Sequence, residues 1–553
     1  MAPKRKSSSR AGSTKKQSKS QETKNELLSP GKIEELSKEV ITSAKHYNNL
    51  VSLIEQFELV GAKLQKEENE EIESIGRLLA VSLFKAFQGL FKEGAIIPKK
   101  SNDEKKQLVA KWLSGKYEQY KEGIRNFLKD RLAYETSLQI DVLEIYLNLI
   151  KLESEYMKSG AKDLFFANTT YLKLVQSLLE SVNGEILSDG STDNFIILEF
   201  NEFFQKNWDL QFYFVNNLNE ILSEWKNVKT ANELQLIFAN FYTIMRNNLL
   251  FSQDSEILKD QPTWIPNKLP SIAYKAPHFR TQYQKSFITI LSYPLLTSQY
   301  KSVLSILHKR IIPNLAQPAT LMDFLTDSYN VEDDYAVPIL ALNSLYELMK
   351  KYNLEYPDFY TKLYSLLTPE LLYTRYRSRF FRLCDLFLSS THLAAQLVAS
   401  FIKKLARLAL TASAGGVVIV IPFVYNLLKR HPSCMVLIHN SEQSKDSDYS
   451  DPFDLNETDP LKTGAMGSSL WELETLMSHY HPNIATLAKI FSEPFRKPSY
   501  NMEDFLDWSY ITLLESEKIR KYKGHAALEY QEWENIFDSK SDSPSTYLEG
   551  WTL

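Results

Sequence analysis

The sequence predicts an all-α fold, a HEAT/armadillo-like helical-repeat solenoid that follows a disordered basic amino-terminal tail. Three observations carry that expectation. Only 17 glycines and 21 prolines occur among 553 residues, too few for the tight turns of a sandwich or barrel. Apolar residues recur at spacings of three and four, the signature of one buried helix stripe. In the carboxy-terminal half, helical patterns restart at intervals close to the roughly 40-residue period of HEAT-like helix pairs. At 44% hydrophobic, the chain is long enough for several cores, each of about 100–200 residues.

The elements follow in order. Residues 1–30 form the tail: Lys4, Arg5, Lys6, Lys15 and Lys16 lie among Ser, Gly, Thr and Gln, with nothing apolar to pack. The Lys4-Arg5-Lys6 and Lys15-Lys16 clusters form a candidate two-part nuclear import signal. Residues 31–260 read as an amino-terminal helical-repeat region. Ile33, Leu36, Val40, Leu50, Leu53, Ile54 and Phe57 stripe its first one or two helices. Further helices are expected near 72–92, 103–117, 118–129, 134–158, 161–180, 194–204 and 210–225. Pro262, Pro266, Pro270 and Pro277 make 261–277 a proline-rich connector and the expected domain boundary.

Residues 278–440 are expected to hold helical repeats that restart near Ser298, Ala336, Tyr373 and Gly416. Within them, Val337, Ala341, Leu345 and Leu348 stripe one helix and Phe359, Leu363, Leu366 and Leu367 its partner. Ala394, Leu397, Val398, Phe401, Leu405 and Leu408 line another, which places Lys403, Lys404 and Arg407 on its opposite, outward face. Residues 408–428 carry no charge over a span sufficient for a bilayer, about 20 residues. Thr411, Ser413, Pro422 and Asn426 interrupt that run, so it reads as a buried helix pair bent at Gly415-Gly416. Residues 441–468, rich in Asp and Glu without an apolar period, are expected to be an acidic mobile loop. Residues 469–540 resume the helices and 541–553 are a second tail.

Catalytic signatures are absent: there is no phosphate-cradling glycine loop, no G-x-S-x-G and no H-E-x-x-H. The reading is therefore non-enzymatic, with no cofactor and no small-molecule substrate. Cys384 and Cys434 sit in apolar surroundings without paired spacing, as in a reducing compartment. His479 and His481, two apart on a helix, would point about 200° apart and could not share one metal ion. The strongest electrostatic feature is basic: Arg375, Arg377, Arg379 and Arg382, interleaved with Tyr373, Tyr376 and Phe380, and then Lys403, Lys404 and Arg407. Such residues suit phosphate clamping and base stacking, and so are RNA-binding candidates. They suit pairing with the acidic loop equally well.

Leu470-Trp471-Glu472-Leu473, His479-Tyr480-His481-Pro482 and Glu503-Asp504-Phe505-Leu506-Asp507-Trp508-Ser509-Tyr510 resemble the CCAAT-binding-factor domain of the nucleolar complex proteins. The resemblance covers roughly 298–510 and is nearest the family's small-subunit member. Residues up to about 260 carry no recognised motif. The resemblance implies a nucleolar protein that forms a heterodimer with nucleolar protein fourteen among small-subunit processome proteins, acting in pre-18S RNA processing and pre-40S assembly and export, with pre-ribosomal RNA a partner. It also makes Trp471, Glu472, His479, Tyr480, His481, Pro482, Asp504, Phe505, Asp507 and Tyr510 structural or partner-binding signature residues. From the residues alone, Ser469 and Glu472 are spaced as a helix capping box, and Pro482 forces a corner between two helices. A nuclear transport adaptor or a transcription-linked helical-repeat protein is the competing reading.

Overall fold

A computed structural model describes residues 27–96, 104–157, 165–247, 249–331, 334–352, 358–439 and 450–521. The import-signal lysines and arginine, and the tail 541–553, lie outside the described residues. Those residues form helices, single 3-10 turns and one isolated bridge between Ile186 and Thr192, with no strand among them. The chain packs as two compact units, 1–393 with 454–463 and 394–453 with 464–553.

The first unit opens with α1 (Pro30–Thr42), α2 (Asn49–Leu64), α3 (Glu70–Lys92), α4 (Glu104–Lys129), α5 (Ser137–Tyr156), α6 (Asn168–Leu179), α7 (Phe195–Lys206), α8 (Trp208–Val228) and α9 (Ala231–Met245). Each of these packs against its next-but-one neighbour, from α1 on α3 through to α7 on α9. That is the contact pattern of stacked helical hairpins, in which a repeat buries its stripe only against its neighbours. Local chemistry sets the ends. Asn69 caps α3 by accepting from the amides of Glu71 and Ile72, with Glu70, Glu71 and Glu73 in the first turn. Side chains of one hairpin also satisfy the orphan carbonyls of another: Ser181 Oγ donates to Leu128 O (2.8 Å), Gln139 Nε2 to Phe127 O (2.9 Å), and Asn240 Nδ2 to Leu179 O (2.9 Å).

Three expectations change here. The segments 103–117 and 118–129 are one helix, α4, because Tyr117 and Tyr120 both enter the core beside Phe87 and nothing between them breaks the helix. Helix α9 was not anticipated, although Thr230 and Glu233 form the capping box that marks its start. The proline segment 261–277 is not the boundary between compact units. The buried Asp209 carboxylate, in the first turn of α8, accepts from the amides of Trp264 (2.9 Å) and Ile265 (3.0 Å), and the Trp264 indole donates to Leu147 O (3.0 Å). Prolines break a helix without freeing the chain, since the remaining amides can still be anchored.

After a short α10 (Ser255–Lys259), the first unit continues with α11 (Ala276–Leu291), α12 (Thr297–Ile306), α13 (Met322–Tyr329), α14 (Ala336–Tyr352), α15 (Phe359–Ser365) and α16 (Arg377–Phe387). The stripe Val337, Ala341, Leu345 and Leu348 is buried, as are Phe359, Leu363 and Leu367.

The second unit is built on α17 (Ala395–Ala409) and α18 (Ala414–Arg430), followed by α19 (Trp471–Leu476), α20 (Pro482–Ala488), α21 (Glu503–Leu506) and α22 (Tyr510–Ile519). The helix break lies at residues 410–413 instead of Gly415-Gly416: Ser413 is the N-cap of α18, accepting from the Gly416 amide, and the two glycines occupy its first turn. Every residue of α18 from Ala414 to Leu428 is buried, so the uncharged run is a core helix of this unit.

Candidate functional site

The sequence singled out the basic face of α17 and the segment after Ser468, and the second unit joins them. Lys403 is fully buried, which corrects its expected outward position. Its ammonium donates to Ser469 O (2.6 Å) and pairs with Glu472 Oε1 (2.7 Å) and Asp451 (3.3 Å). One turn along α17, the Arg407 guanidinium forks: Nε reaches Glu472 Oε1 at 2.8 Å and Nη2 reaches Asp451 Oδ2 at 3.0 Å. The Trp471 ring closes the cluster, 4.7 Å from the Arg407 guanidinium and 5.4 Å from the Lys403 ammonium, and its indole N–H donates to Asp451 Oδ2 (3.3 Å). Two cations and two carboxylates therefore meet under one aromatic lid. Glu472 Oε2 is buried without a hydrogen-bond partner.

Local backbone chemistry brings Asp451 there. Gly464 adopts φ +73°, and a Cβ on it would lie 2.5 Å from Pro452 O, so only glycine permits this closure. The returning Ser468 hydroxyl and the Phe453 amide both donate to Asp451 Oδ1. Burial by itself would raise the Asp451 carboxyl, but these hydrogen bonds, the Lys403 charge and the Trp471 N–H hold it below the usual carboxylate range. The described part of the expected acidic loop, 450–468, is thus anchored at Asp451, while 441–449 lie outside the described residues. Glu472 is likewise not a capping residue: the N-cap of α19 is Leu470, without a side-chain cap, and the Glu472 carboxylate is committed to α17. Lys404, the third basic residue of α17, is half-buried and pushed down to about 8 by desolvation.

The proline corner forms as the sequence requires. His481 is extended and is the N-cap of α20, with its Nδ1 accepting from the Asn483 amide (3.3 Å); Pro482 takes the first helical position. His479 Nδ1 accepts from the His481 amide (3.0 Å), and burial together with the charge of His481 lowers its basicity. Both rings thus serve the backbone of the corner, and no cluster of three or more metal-binding side chains occurs among the described residues. Tyr480 stands out at 76% exposed. A groove of about 340 Å³ runs beside Trp471, lined by Leu437, Ile438, Leu473, Met477 and Phe491.

Further along, Asn426 of α18 holds the chain entering α21 by a two-way hydrogen bond with the Tyr500 backbone (2.7 and 2.8 Å). Phe505 packs half-buried beside Tyr500 (6.0 Å), the Asp504 carboxylate accepts from Asn501, and Asp507 is exposed. Ser509 and Thr512 cap α22 reciprocally. That helix presents Tyr510, Ile511, Leu514 and Ile519 to solvent, at 57, 69, 68 and 80% exposed. Only Tyr510 among them belonged to the sequence candidates, because the four are spread over half the helix circumference and form no periodic stripe.

The arginine group belongs to the first unit and the α17 cations to the second. Arg375 and Arg382 are exposed. Arg377 is half-buried and donates to Leu372 O (3.2 Å), and Arg379 turns a buried Nη1 inward, near His308. The four do not share one face, since residues 369–376 are a 3-10 turn and bends before α16 begins.

Two family models match the chain: the Nucleolar complex protein 4-like TPR repeats over residues 20–227, and the CBF/Mak21 family over residues 338–488. The first falls on the half for which the sequence offered no recognised motif, and it specifies its helical repeats as TPR repeats. Nucleolar complex protein 4 of Saccharomyces cerevisiae is 43% identical over 532 residues, covering 92% of this chain and 95% of the yeast protein. The Nucleolar complex protein 4 homologue of Mus musculus is 33% identical, covering 85% and 89%. Homologue B of Xenopus laevis is 34% identical, covering 75% and 77%.

Proposed function

The chain belongs to the nucleolar complex protein 4 family, and from that premise we propose that it is a non-catalytic nucleolar scaffold of ribosome biogenesis. Its second unit docks a protein partner, nucleolar protein fourteen, within the small-subunit processome, and the complex serves pre-18S RNA processing and pre-40S assembly and export. The observation that carries the docking reading is a set of uncovered apolar side chains on α22: Ile511, Leu514 and Ile519 remain at least two-thirds exposed on a capped helix. Side chains of this kind gain about 1.5–3 kcal/mol each when buried, which is how a few anchors come to dominate an interface. Trp471 and Tyr480 add two further exposed aromatic rings in the same unit.

Pre-ribosomal RNA is the second proposed partner, at Arg375 and Arg382 in the first unit. Arg375 and Arg382 are exposed, whereas Lys403 is fully buried and Arg407 half-buried against Glu472 and Asp451, so the latter two are assigned to the ionic cluster.

The test is purification of tagged chain carrying Ile511→Asp and Leu514→Asp at low salt. Loss of nucleolar protein fourteen from a protein whose circular dichroism is unchanged supports the docking surface; full recovery overturns it. A charge-reversed Arg375→Glu/Arg382→Glu chain should lose cross-linking to pre-ribosomal RNA while retaining the protein partner.

A further inference from the structure

The amino-terminal turns of α4 differ from the rest of the first unit. Between Glu104 and Lys116 only Ala110 and Leu113 are buried, and no carboxylate occurs from Lys105 to Tyr117. At 100° per residue, Lys105, Leu108, Val109, Trp112 and Lys116 fall on one stripe about 100° wide, with Lys111 on its flank. Leu108 is 68% and Trp112 37% exposed. The Lys116 ammonium lies 5.9 Å from the Trp112 ring centroid and is held by Gln119 Oε1 at 2.8 Å. An exposed indole with lysines on both sides, and with no carboxylate between Glu104 and Glu118, is the arrangement that binds single strands: the ring stacks a base while the ammonium groups meet phosphates. A protein partner fits less well. Leu108, Val109 and Trp112 are three side chains, far short of the roughly 800 Å² per partner that a stable protein interface buries, whereas a base needs only the indole.

We propose that these turns of α4 are a contact for single-stranded RNA, with Trp112 stacking a base and Lys105, Lys111 and Lys116 holding phosphates. The choice of RNA as the strand rests on the ribosome-assembly reading; the stacking and charge geometry does not.

Binding of the full chain to a labelled, uridine-rich single strand of about twelve nucleotides, and to the matching duplex, tests it by fluorescence anisotropy between about 50 and 200 mM salt. Trp112→Ala should weaken single-strand binding about tenfold or more, as expected for one lost stack. Lys105→Gln/Lys111→Gln/Lys116→Gln should flatten the slope of log affinity against log salt by about 2, near 0.7 for each lost phosphate contact. Arg375→Glu/Arg382→Glu should leave the Trp112 effect in place. Unchanged affinity and slope in both α4 variants, with unchanged thermal melting, overturns the contact. So does equal loss of duplex binding, or displacement of the RNA by an acidic peptide with no dependence on Trp112, which marks a protein surface. None of these outcomes touches capture of the protein partner by α22, so the two readings fail separately.

Discussion

Among the described residues each compact unit buries a lysine–glutamate pair, and the two are built differently. In the first unit, Lys121 meets Glu153 (2.9 Å), Glu118 (2.7 Å) and Thr170 (3.1 Å), and both Glu153 oxygens are satisfied, one by Tyr117 and the other by Thr170. Every partner stands on a regular helix, so the charges tie together hairpins that apolar stripes already align. In the second unit, Lys403 and Arg407 fasten the irregular chain around Asp451 and Ser469 onto α17, and one Glu472 oxygen has no partner. A buried ion pair can cost as much in desolvation as it returns in attraction. The first pair therefore adds little to a packed solenoid, whereas the second determines where a segment without its own apolar period lies.

The largest expected effect follows from removing one partner. Glu472→Ala leaves two cations facing the single Asp451 carboxylate, and should destabilise the second unit by about 3–5 kcal/mol. Glu153→Ala leaves Lys121 paired with Glu118, and should cost the first unit less, about 2–3 kcal/mol. Hydrogen exchange resolved by helix, reading α17 and α18 against α4 and α5, measures both; equal losses would erase the distinction between the two pairs.

A smaller effect separates the units by pH. The Asp451 carboxyl is depressed when folded, so its contribution is present above the ordinary carboxylate range near 4 and is lost as pH falls through its folded value. Burial raises Asp209 of the first unit despite amide hydrogen bonds from Leu210, Trp264 and Ile265. Its folded form binds the proton more tightly than the unfolded chain, so its contribution declines as pH rises through the ordinary range toward its folded value. Asp451→Asn and Asp209→Asn should shift the acid-side stability profiles of their units in opposite directions, read by the same exchange experiment. Parallel shifts would overturn the assignment.

The smallest effects concern glycine. Gly464→Ala places a Cβ against Pro452 O at a positive φ and should cost the second unit about 1–3 kcal/mol. Gly115→Ala, in an exposed turn of α4 with open space around it, should stabilise the first unit by about 0.5–1 kcal/mol. Thermal melting of the two variants checks both signs.

Much of this was legible in residue order. Helical class, the apolar stripes of α1, α2 and α14, the proline corner at Pro482 and the family signature all depend on neighbours a few residues apart, where periodicity and capping rules act. The break expected inside α4 and the boundary expected at 261–277 failed for a common reason. Tyr120 finds its acceptor at Ala80 and Trp264 finds its acceptor at Leu147, 40 and 117 residues away, and local pattern cannot register such distances. On α17 helix geometry sets Lys403 and Arg407 opposite the apolar stripe, whereas Lys404 falls beside Leu397 and is half-buried. Whether the basic face meets water or protein depends on what covers it. Asp451 and Glu472 lie 44 and 65 residues beyond Arg407, and only the tertiary fold, turning at Gly464, brings their carboxylates over Lys403 and makes an apparent nucleic-acid surface into a buried ionic core.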